Sequence, residues 1–237
     1  MNVMTEIETI KYISDNKCSV ARYGDGEFKL CIGASAKSQK ADRNMAEQMR
    51  FLLRDTNNKN LLVCIPRIYE PRSDWPTQEK WNFWKQFAQQ SRYVSLLNTR
   101  KTYGSSFITR PDSSGQSSVT FYESIKALWS GKNVLLIKGE GTGFDKDKSI
   151  FSTARRYETL LGPERDSFSM IDSLVHKAIY RTNEDTVIVI SLGPTATLLA
   201  ERLSKFRQTL DLGHLGMFYA HVHPKTPGYI KENHEIH

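Results

Sequence analysis

Three short, largely apolar runs recur along this chain, at Leu61–Ile65, 133–137 and 186–190, and proline or glycine follows each of them within three residues. Continuous apolar runs of this length are typical of strands that are buried on both faces of a sheet. Segments with apolar residues at helical spacing lie between them. Because strands that alternate with helices form βαβ units, we predict an α/β fold with a mainly parallel sheet.

The same spacing rules give the remaining elements. Further strands are predicted at Ser19–Arg22, 93–97 and 210–212. The predicted helices are 4–14, 41–53, 78–90, 119–129, 150–161, 171–180 and 195–205. The segment 111–118, which is rich in serine and contains proline and glycine, is interpreted as a mobile loop.

Composition limits the class of protein. With 237 residues, 39% of them hydrophobic and 25% charged, the chain can form one substantial domain, which we place at 1–237 with a short polar tail at about 224–237. The sequence contains no run of about 18 apolar residues, so no membrane span is predicted. Three scattered cysteines and the lack of a secretory pattern in the first 16 residues favour a reducing, cytoplasmic location.

The chain carries a net charge of +7, spread along its length. A basic surface permits anionic partners such as nucleotides, phosphorylated sugars, nucleic acid or a lipid surface. No nucleic-acid-binding motif is present, so nucleic acid is not the expected partner. At most peripheral contact with a membrane is expected.

The strand that ends at Arg22 runs into an acidic turn. Asp25 and Glu27 lie two residues apart, and Gly24 and Gly26 let the backbone turn sharply and approach a ligand closely. Two such carboxylates can present oxygen ligands to Mg²⁺ or Mn²⁺, and that ion would hold a diphosphate, while arginine suits phosphate recognition. The alternative is a polar turn in which one acid caps the next helix.

Two other strand ends carry candidate residues. Gly193, Pro194 and Thr195 follow the third apolar run with the chemistry of a helix start, where free N–H groups favour a phosphate. The alternative is an ordinary strand-to-helix turn. Glu140 lies in the glycine-rich segment 139–143, which lacks the lysine of a P-loop. It is a candidate base, and a flexible loop is the alternative.

The last predicted strand brings Asp211 and His214 to the same candidate edge, where they could bind substrate. His221 and His223 would share one face if they lay on a strand, which raises a zinc site as a further hypothesis, although no third ligand stands out.

Four segments in order resemble the bacterial GT-D fold glycosyltransferases. Residues 22–28 resemble the family's R-F-G-D-G-E-F, and 106–111 match its S-F-I-T-R-P. Residues 191–197 resemble A-L-G-P-T-A-T, and 211–214 resemble D-I-G-H, with Tyr219 beyond. The four segments extend over most of the chain, so together they are far more specific than any one alone.

The resemblance implies a Rossmann-like three-layer domain with helices on both faces that transfers a hexose, typically glucose, from a UDP-sugar. The family's D-x-E motif falls on Asp25 and Glu27, which would bind Mn²⁺ (or Mg²⁺) and the donor diphosphate. Glu140, Asp211 and His214 are left as unranked candidates for a base. Nucleotide-sugar contacts are expected from Arg22, Gly24, Gly26, Arg110, Gly193, Pro194, Thr195 and Asp211.

The implied partners are the UDP-sugar donor and a glycan, glycoprotein or lipid-linked acceptor, and the chain could form a homo-oligomer. One segment departs from the family pattern: Lys138 stands where the family has glutamate, Gly143 where it has arginine, and Lys148-Ser149 where it has Asn-Asp. If this loop contacts the donor sugar or the acceptor, the specificity of the chain differs. A metal-dependent nucleotide-sugar phosphohydrolase and a non-catalytic anionic-ligand-binding protein are the alternatives.

Overall fold

Eight strands form one sheet in the order β1-β4-β3-β2-β8-β7-β5-β6 in the computed structural model, which describes residues 1–69, 75–116 and 118–222. Every neighbouring pair of these strands is parallel. The strands are β1 Asn2–Val3, β2 Ser19–Arg22, β3 Leu61–Ile65, β4 Thr102–Ser105, β5 Asn133–Lys138, β6 Arg156–Leu161, β7 Thr186–Ser191 and β8 Thr209–Asp211. The predicted parallel sheet is confirmed.

Helices cover both faces of this sheet. The α-helices are α1 Glu6–Asn16, α2 Asp25–Cys31, α3 Arg43–Arg54, α4 Gln78–Ala88, α5 Ser91–Val94, α6 Pro111–Ser114, α7 Val119–Lys126, α8 Ile171–Arg181, α9 Thr195–Leu203 and α10 Leu215–Val222. Short 3₁₀ helices are Ser106–Thr109, Ala127–Trp129, Gly143–Asp145, Lys148–Phe151 and Ser167–Met170.

Two hydrophobic clusters lie on opposite sides of the sheet because successive strand residues point to opposite faces. On β3, Val63 belongs to one cluster and Leu62 to the other. The first cluster takes residues from α2, α3, α4, α8 and α9, and the second from α1, α7 and α10. The result is the three-layer arrangement that the family resemblance implies.

Three sequence-based predictions are wrong. The predicted helix 150–161 is instead the end of a 3₁₀ turn followed by β6, whose six residues pair with β5. The predicted strand 93–97 overlaps α5, where the chain makes one helical turn. The first four residues of the predicted loop 111–118 form α6, in which Ser113 and Ser114 are buried.

The carboxyl ends of the central strands position the candidate site. β2 and β8 are neighbours at the middle of the sheet, where Val20 pairs with Leu210, although 189 residues separate Arg22 from Asp211 at their ends. No helix within the described residues has the length and apolar character needed to cross a membrane. The predicted tail 224–237 and His223 lie outside the described residues.

Candidate active site

A cleft of about 530 Å³ opens at the carboxyl ends of these strands. In open α/β sheets this edge is where ligands bind. The cleft is lined by most of the candidates from the sequence, namely Arg22, Gly24, Asp25, Gly26, Glu27, Arg110, Gly193, Pro194, Asp211 and His214. Segments that follow β2, β4, β7 and β8 therefore meet in one place, which is what the sequence could only suggest.

The acidic turn is the first turn of α2. Gly24 is the residue that precedes the helix, and its N–H donates to Glu27 Oε2 at 2.7 Å. Asp25 begins the helix and forms a salt bridge of 3.1 Å with Lys29 one turn later. Glu27 therefore caps the helix, as the alternative interpretation predicts, and it also lines the cleft, where its binding of a ligand stays a prediction.

The charge of Glu27 is poorly compensated. Withdrawal of its carboxyl group from water, reinforced by the nearby charge of Asp211, raises the pKa of Glu27 to about 7 in spite of the hydrogen bond from Gly24 and the charge of Arg22. Within the part of the chain that the structure describes, Glu27 forms no salt bridge. A carboxylate in this state is stabilised by an added cation.

Arg22 is locked into the floor of the cleft. Its Nε donates to the Asp211 carbonyl at 2.7 Å, Nη2 to Asp211 Oδ1 at 3.0 Å, and Nη1 to Thr109 Oγ1 at 2.6 Å. A Cβ at Gly213 would lie 2.1 Å from Nη2. Burial raises the pKa of Asp211, and Arg22 opposes that rise. This pair joins β2, β8 and the 3₁₀ turn that follows β4, so most donors of Arg22 are already used.

Arg110 is the second arginine in the cleft. It lies between the 3₁₀ turn Ser106–Thr109 and α6, and it forms a two-point ion pair with Asp112. These hydrogen bonds raise the pKa of Arg110, with smaller contributions from the charges of Asp25 and Glu27. The guanidinium group therefore lies within electrostatic reach of Asp25 and Glu27, the acids to which the family resemblance gives metal binding.

His214 is exposed at the mouth of the cleft. Although the residue as a whole is exposed, protein atoms displace water from part of its ring, and this loss of water, together with the positive charges of Arg22 and Arg110, lowers the pKa of His214 below its ordinary value. The ring is neutral at pH 7 as a result, and a neutral imidazole can accept a proton.

Two predicted site residues do not line the cleft. Glu140 is exposed and does not line the cleft, although Thr142, two residues later, does. Thr195 is buried, and its hydroxyl donates to Gln39 Oε1 at 3.2 Å. Gly193, two residues earlier, adopts φ +53° and passes so close to Ser38 that a Cβ would lie 2.7 Å from Ser38 Oγ.

The structure places part of the segment that departs from the family pattern at the cleft, and it adds Met217 and Asp112, which the sequence did not single out. Thr142 and Gly143 line the cleft together with Met217 of α10. A Cβ at Gly143 would lie 2.4 Å from the Met217 backbone nitrogen, so only glycine fits. The glycine itself was the available signal, since an unexplained glycine in a loop often marks a close backbone approach. Asp112 gave no comparable signal.

The carboxylates of the cleft suit a hard divalent cation whose other ligands are phosphate oxygens. Among residues 1–69, 75–116 and 118–222, no group of three or more His, Cys, Asp or Glu side chains is arranged to hold a metal ion. Asp25 and Glu27 supply two carboxylates, and Mg²⁺-type ions commonly take one or two carboxylates plus substrate phosphates. The zinc hypothesis requires His221 to lie on a strand, but His221 lies on α10.

Comparison with known proteins decides the family. The model of the family described as glycosyltransferase GT-D fold matches residues 20–232. The chain belongs to this family. The GT-D match covers the whole cleft and all four sequence segments that carry the resemblance.

Two curated relatives of the GT-D chain are streptococcal. A probable glycosyl transferase Gly of Streptococcus gordonii is 25% identical over 241 residues, with 99% of this chain and 35% of the relative covered. Glycosyltransferase GlyD of Streptococcus pneumoniae serotype 4 is 27% identical over 239 residues, with 96% and 28% covered. The chain thus spans about a third of the length of these relatives.

Solved structures agree with the GT-D assignment. A glycosyltransferase (DUF1792) from Streptococcus sanguinis superposes with a TM-score of 0.84 at 26% identity, over 92% of this chain and 83% of that one. A structure described as the highly conserved domain of unknown function 1792 with a distinct glycosyltransferase fold gives 0.84 at 30% identity, over 93% and 81%.

Proposed function

We propose that this GT-D chain transfers a hexose, glucose in the first instance, from a UDP-sugar to a hydroxyl group of a glycan, glycoprotein or lipid-linked acceptor. One observation carries the proposal: Asp25, Glu27 and Arg110 converge in one cleft at the carboxyl edge of a parallel sheet. The cleft volume of about 530 Å³ falls within the range of small-molecule sites.

The chemistry requires stabilisation of a departing diphosphate. When the bond between the anomeric carbon and the diphosphate breaks, negative charge collects on the leaving phosphate oxygens. Arg110 places a fixed positive charge in the cleft, and such preorganised charge lowers the barrier. Asp25 and Glu27 would hold Mn²⁺ or Mg²⁺, which would supply further positive charge to the diphosphate.

The acceptor hydroxyl loses a proton during transfer. Of the three bases that the sequence left open, Glu140 does not line the cleft and Asp211 is bound to Arg22. His214 is exposed to the cleft and neutral at pH 7, so we assign the proton to its ring. Arg22 and Asp211 then have a structural role, in which their ion pair fixes the floor of the cleft.

Identification of the products tests the proposal. The chain is incubated with a panel of nucleotide sugars and Mn²⁺, and the released nucleotide is identified by chromatography. Release of intact UDP with sugar on the acceptor supports transfer. Release of UMP or inorganic phosphate indicates the phosphohydrolase, and binding of donors with no cleavage indicates the anionic-ligand-binding protein. The cytoplasmic location and a homo-oligomeric state stay predictions.

A further inference from the structure

Asp112 forms a two-point ion pair with one edge of the Arg110 guanidinium. Its Oδ1 accepts from Nε at 2.8 Å and its Oδ2 accepts from Nη2 at 2.9 Å. The backbone between them is also fixed, because the N–H groups of Ser113 and Ser114 donate to the Arg110 carbonyl at 2.8 and 2.9 Å. A two-point ion pair of this kind sets the orientation of the guanidinium plane as well as its position.

Lys80 of α4 also binds Asp112, at the oxygen that accepts from Arg110 Nη2. Its Nζ lies 2.8 Å from Asp112 Oδ2. Burial disfavours the charged form of Asp112, but the hydrogen bonds and charges of Arg110 and Lys80 outweigh burial and lower the pKa of Asp112 to about 2. The carboxylate is therefore charged at every working pH.

The ion pair with Asp112 leaves the Nη1 edge of Arg110 for a ligand. Nε and Nη2 are turned toward Asp112, and within the described residues Nη1 makes no hydrogen bond. Arg110 lines the cleft, and the charges of Asp25 and Glu27 act on it. Of the three guanidinium nitrogens, Nη1 is therefore the one that remains for an anion bound in the cleft.

A purely architectural role for Asp112 is already filled by another contact. Trp84 of α4 donates its Nε1–H to Ser113 Oγ at 3.2 Å, which joins α4 to α6 without Asp112. The ion pair of Asp112 adds orientation of a cleft-lining charge, which that contact cannot supply.

We propose that Asp112, held by Lys80, is a positioning residue that aims the Nη1 edge of Arg110 at the diphosphate of a nucleoside diphosphate ligand. The inference rests on the proposed function for the identity of the ligand. It adds Asp112 and Lys80 to the machinery of the cleft, although neither side chain is expected to touch the ligand.

The sign of the effect on UDP affinity separates orientation from charge. Asp112→Asn removes a negative charge near the cleft, so a role of simple charge would leave UDP affinity unchanged or strengthen it. If Asp112 orients Arg110, the loss of that orientation weakens UDP affinity by about tenfold, as for other supporting residues of binding sites. Titration calorimetry with UDP and Mn²⁺ measures the difference. Asp112→Glu, which keeps the carboxylate, is expected to restore part of the affinity.

Asp185→Asn is the matched control. Asp185 also sits between two cations, Lys132 at 3.1 Å and Arg155 at 3.5 Å, but it precedes β7 at the opposite edge of the sheet. UDP affinity of this variant is expected to equal that of the wild type. UDP affinity of Asp112→Asn that matches or exceeds that of the wild type would overturn the proposal.

A double-mutant cycle with Arg110→Gln gives the second test. If Asp112 acts through Arg110, then Asp112→Asn costs nothing further in the Arg110→Gln background, and a full additional loss contradicts the proposal. Should Asp112→Asn fail to fold, Lys80→Met decides: a smaller loss of UDP affinity supports the proposal and an unchanged affinity refutes it. UDP binding without sugar transfer would defeat the proposed function and leave this inference standing.

Discussion

Glu27→Gln is the substitution whose consequence follows most directly from the electrostatics of the cleft. Glutamine keeps an oxygen that can accept the Gly24 N–H, so the start of α2 is preserved. What changes is the charge. In the folded protein the pKa of Glu27 rises from 4.5 to about 7, so the folded state holds the proton more tightly than the unfolded state does.

A raised carboxyl pKa makes the protein less stable as the pH rises. Below about pH 4.5 both states are protonated and Glu27 contributes no difference, whereas above about pH 7 the folded state carries the full cost of the buried charge. At about 1.4 kcal/mol per pH unit, that cost is about 3 kcal/mol. The free energy of unfolding of Glu27→Gln is therefore expected to match that of the wild type at pH 4.5 and to exceed it by up to about 3 kcal/mol at pH 8.

Urea denaturation at the two pH values in EDTA measures this difference, and Glu47→Gln is the control. Glu47 is exposed and pairs with Arg43 one turn earlier, so its substitution is expected to change stability by less than about 1 kcal/mol at either pH. Mn²⁺ added at pH 8 is expected to stabilise the wild type, by about 2.7 kcal/mol at a hundredfold excess over its dissociation constant, and to stabilise Glu27→Gln far less. A difference between Glu27→Gln and wild type that does not vary with pH would refute the reasoning.

Three further substitutions test other parts of the cleft. Asp211→Leu leaves the buried charge of Arg22 unpaired and is expected to cost about 3–5 kcal/mol of unfolding free energy, while adding Arg22→Met recovers part of that loss; strictly additive losses would contradict the pairing. Gly143→Ala forces a Cβ against the Met217 nitrogen and is expected to cost about 1–3 kcal/mol in urea denaturation, and an unchanged midpoint would show that the wall yields. His214→Gln is expected to lower kcat at pH 8 by at least about a hundredfold without lowering the melting temperature, and full turnover would remove His214 as the base.

The central strands could be predicted from the sequence because continuous apolar runs indicate buried strands. The strands β1, β4 and β6, which lie at or next to the edges of the sheet, could not. In β6, Tyr157 and Leu160 are the buried residues, and their spacing of three suits a helix as well as a strand. Only the pairing with β5 decides between them. β4 contains Gly104, which weakens a strand prediction, and the reason for the glycine is the Cys64 Sγ atom that would lie 2.6 Å from a Cβ.

The candidate site was predictable to the extent that its residues end strands. Asp25, Glu27 and His214 follow β2 and β8, so they were expected at one edge and are found there. The role of Arg22 could not be read from the sequence, because the acid that holds it lies 189 residues away. The contact between Arg110 and Asp112 likewise depends on the start of α6, in a segment whose sequence predicts a loop.

Metal-dependent release of UDP tests the central claim most directly. With the donor that the nucleotide-sugar panel selects, UDP release is measured for the wild type and Asp25→Asn as the Mn²⁺ concentration rises. Asp15→Asn is the matched control, because Asp15 pairs with Lys11 across one helical turn as Asp25 does with Lys29. The account predicts that the wild type and Asp15→Asn release UDP in a Mn²⁺-dependent manner and that Asp25→Asn loses this release. Undiminished release by Asp25→Asn, at the same Mn²⁺ concentrations, would contradict it.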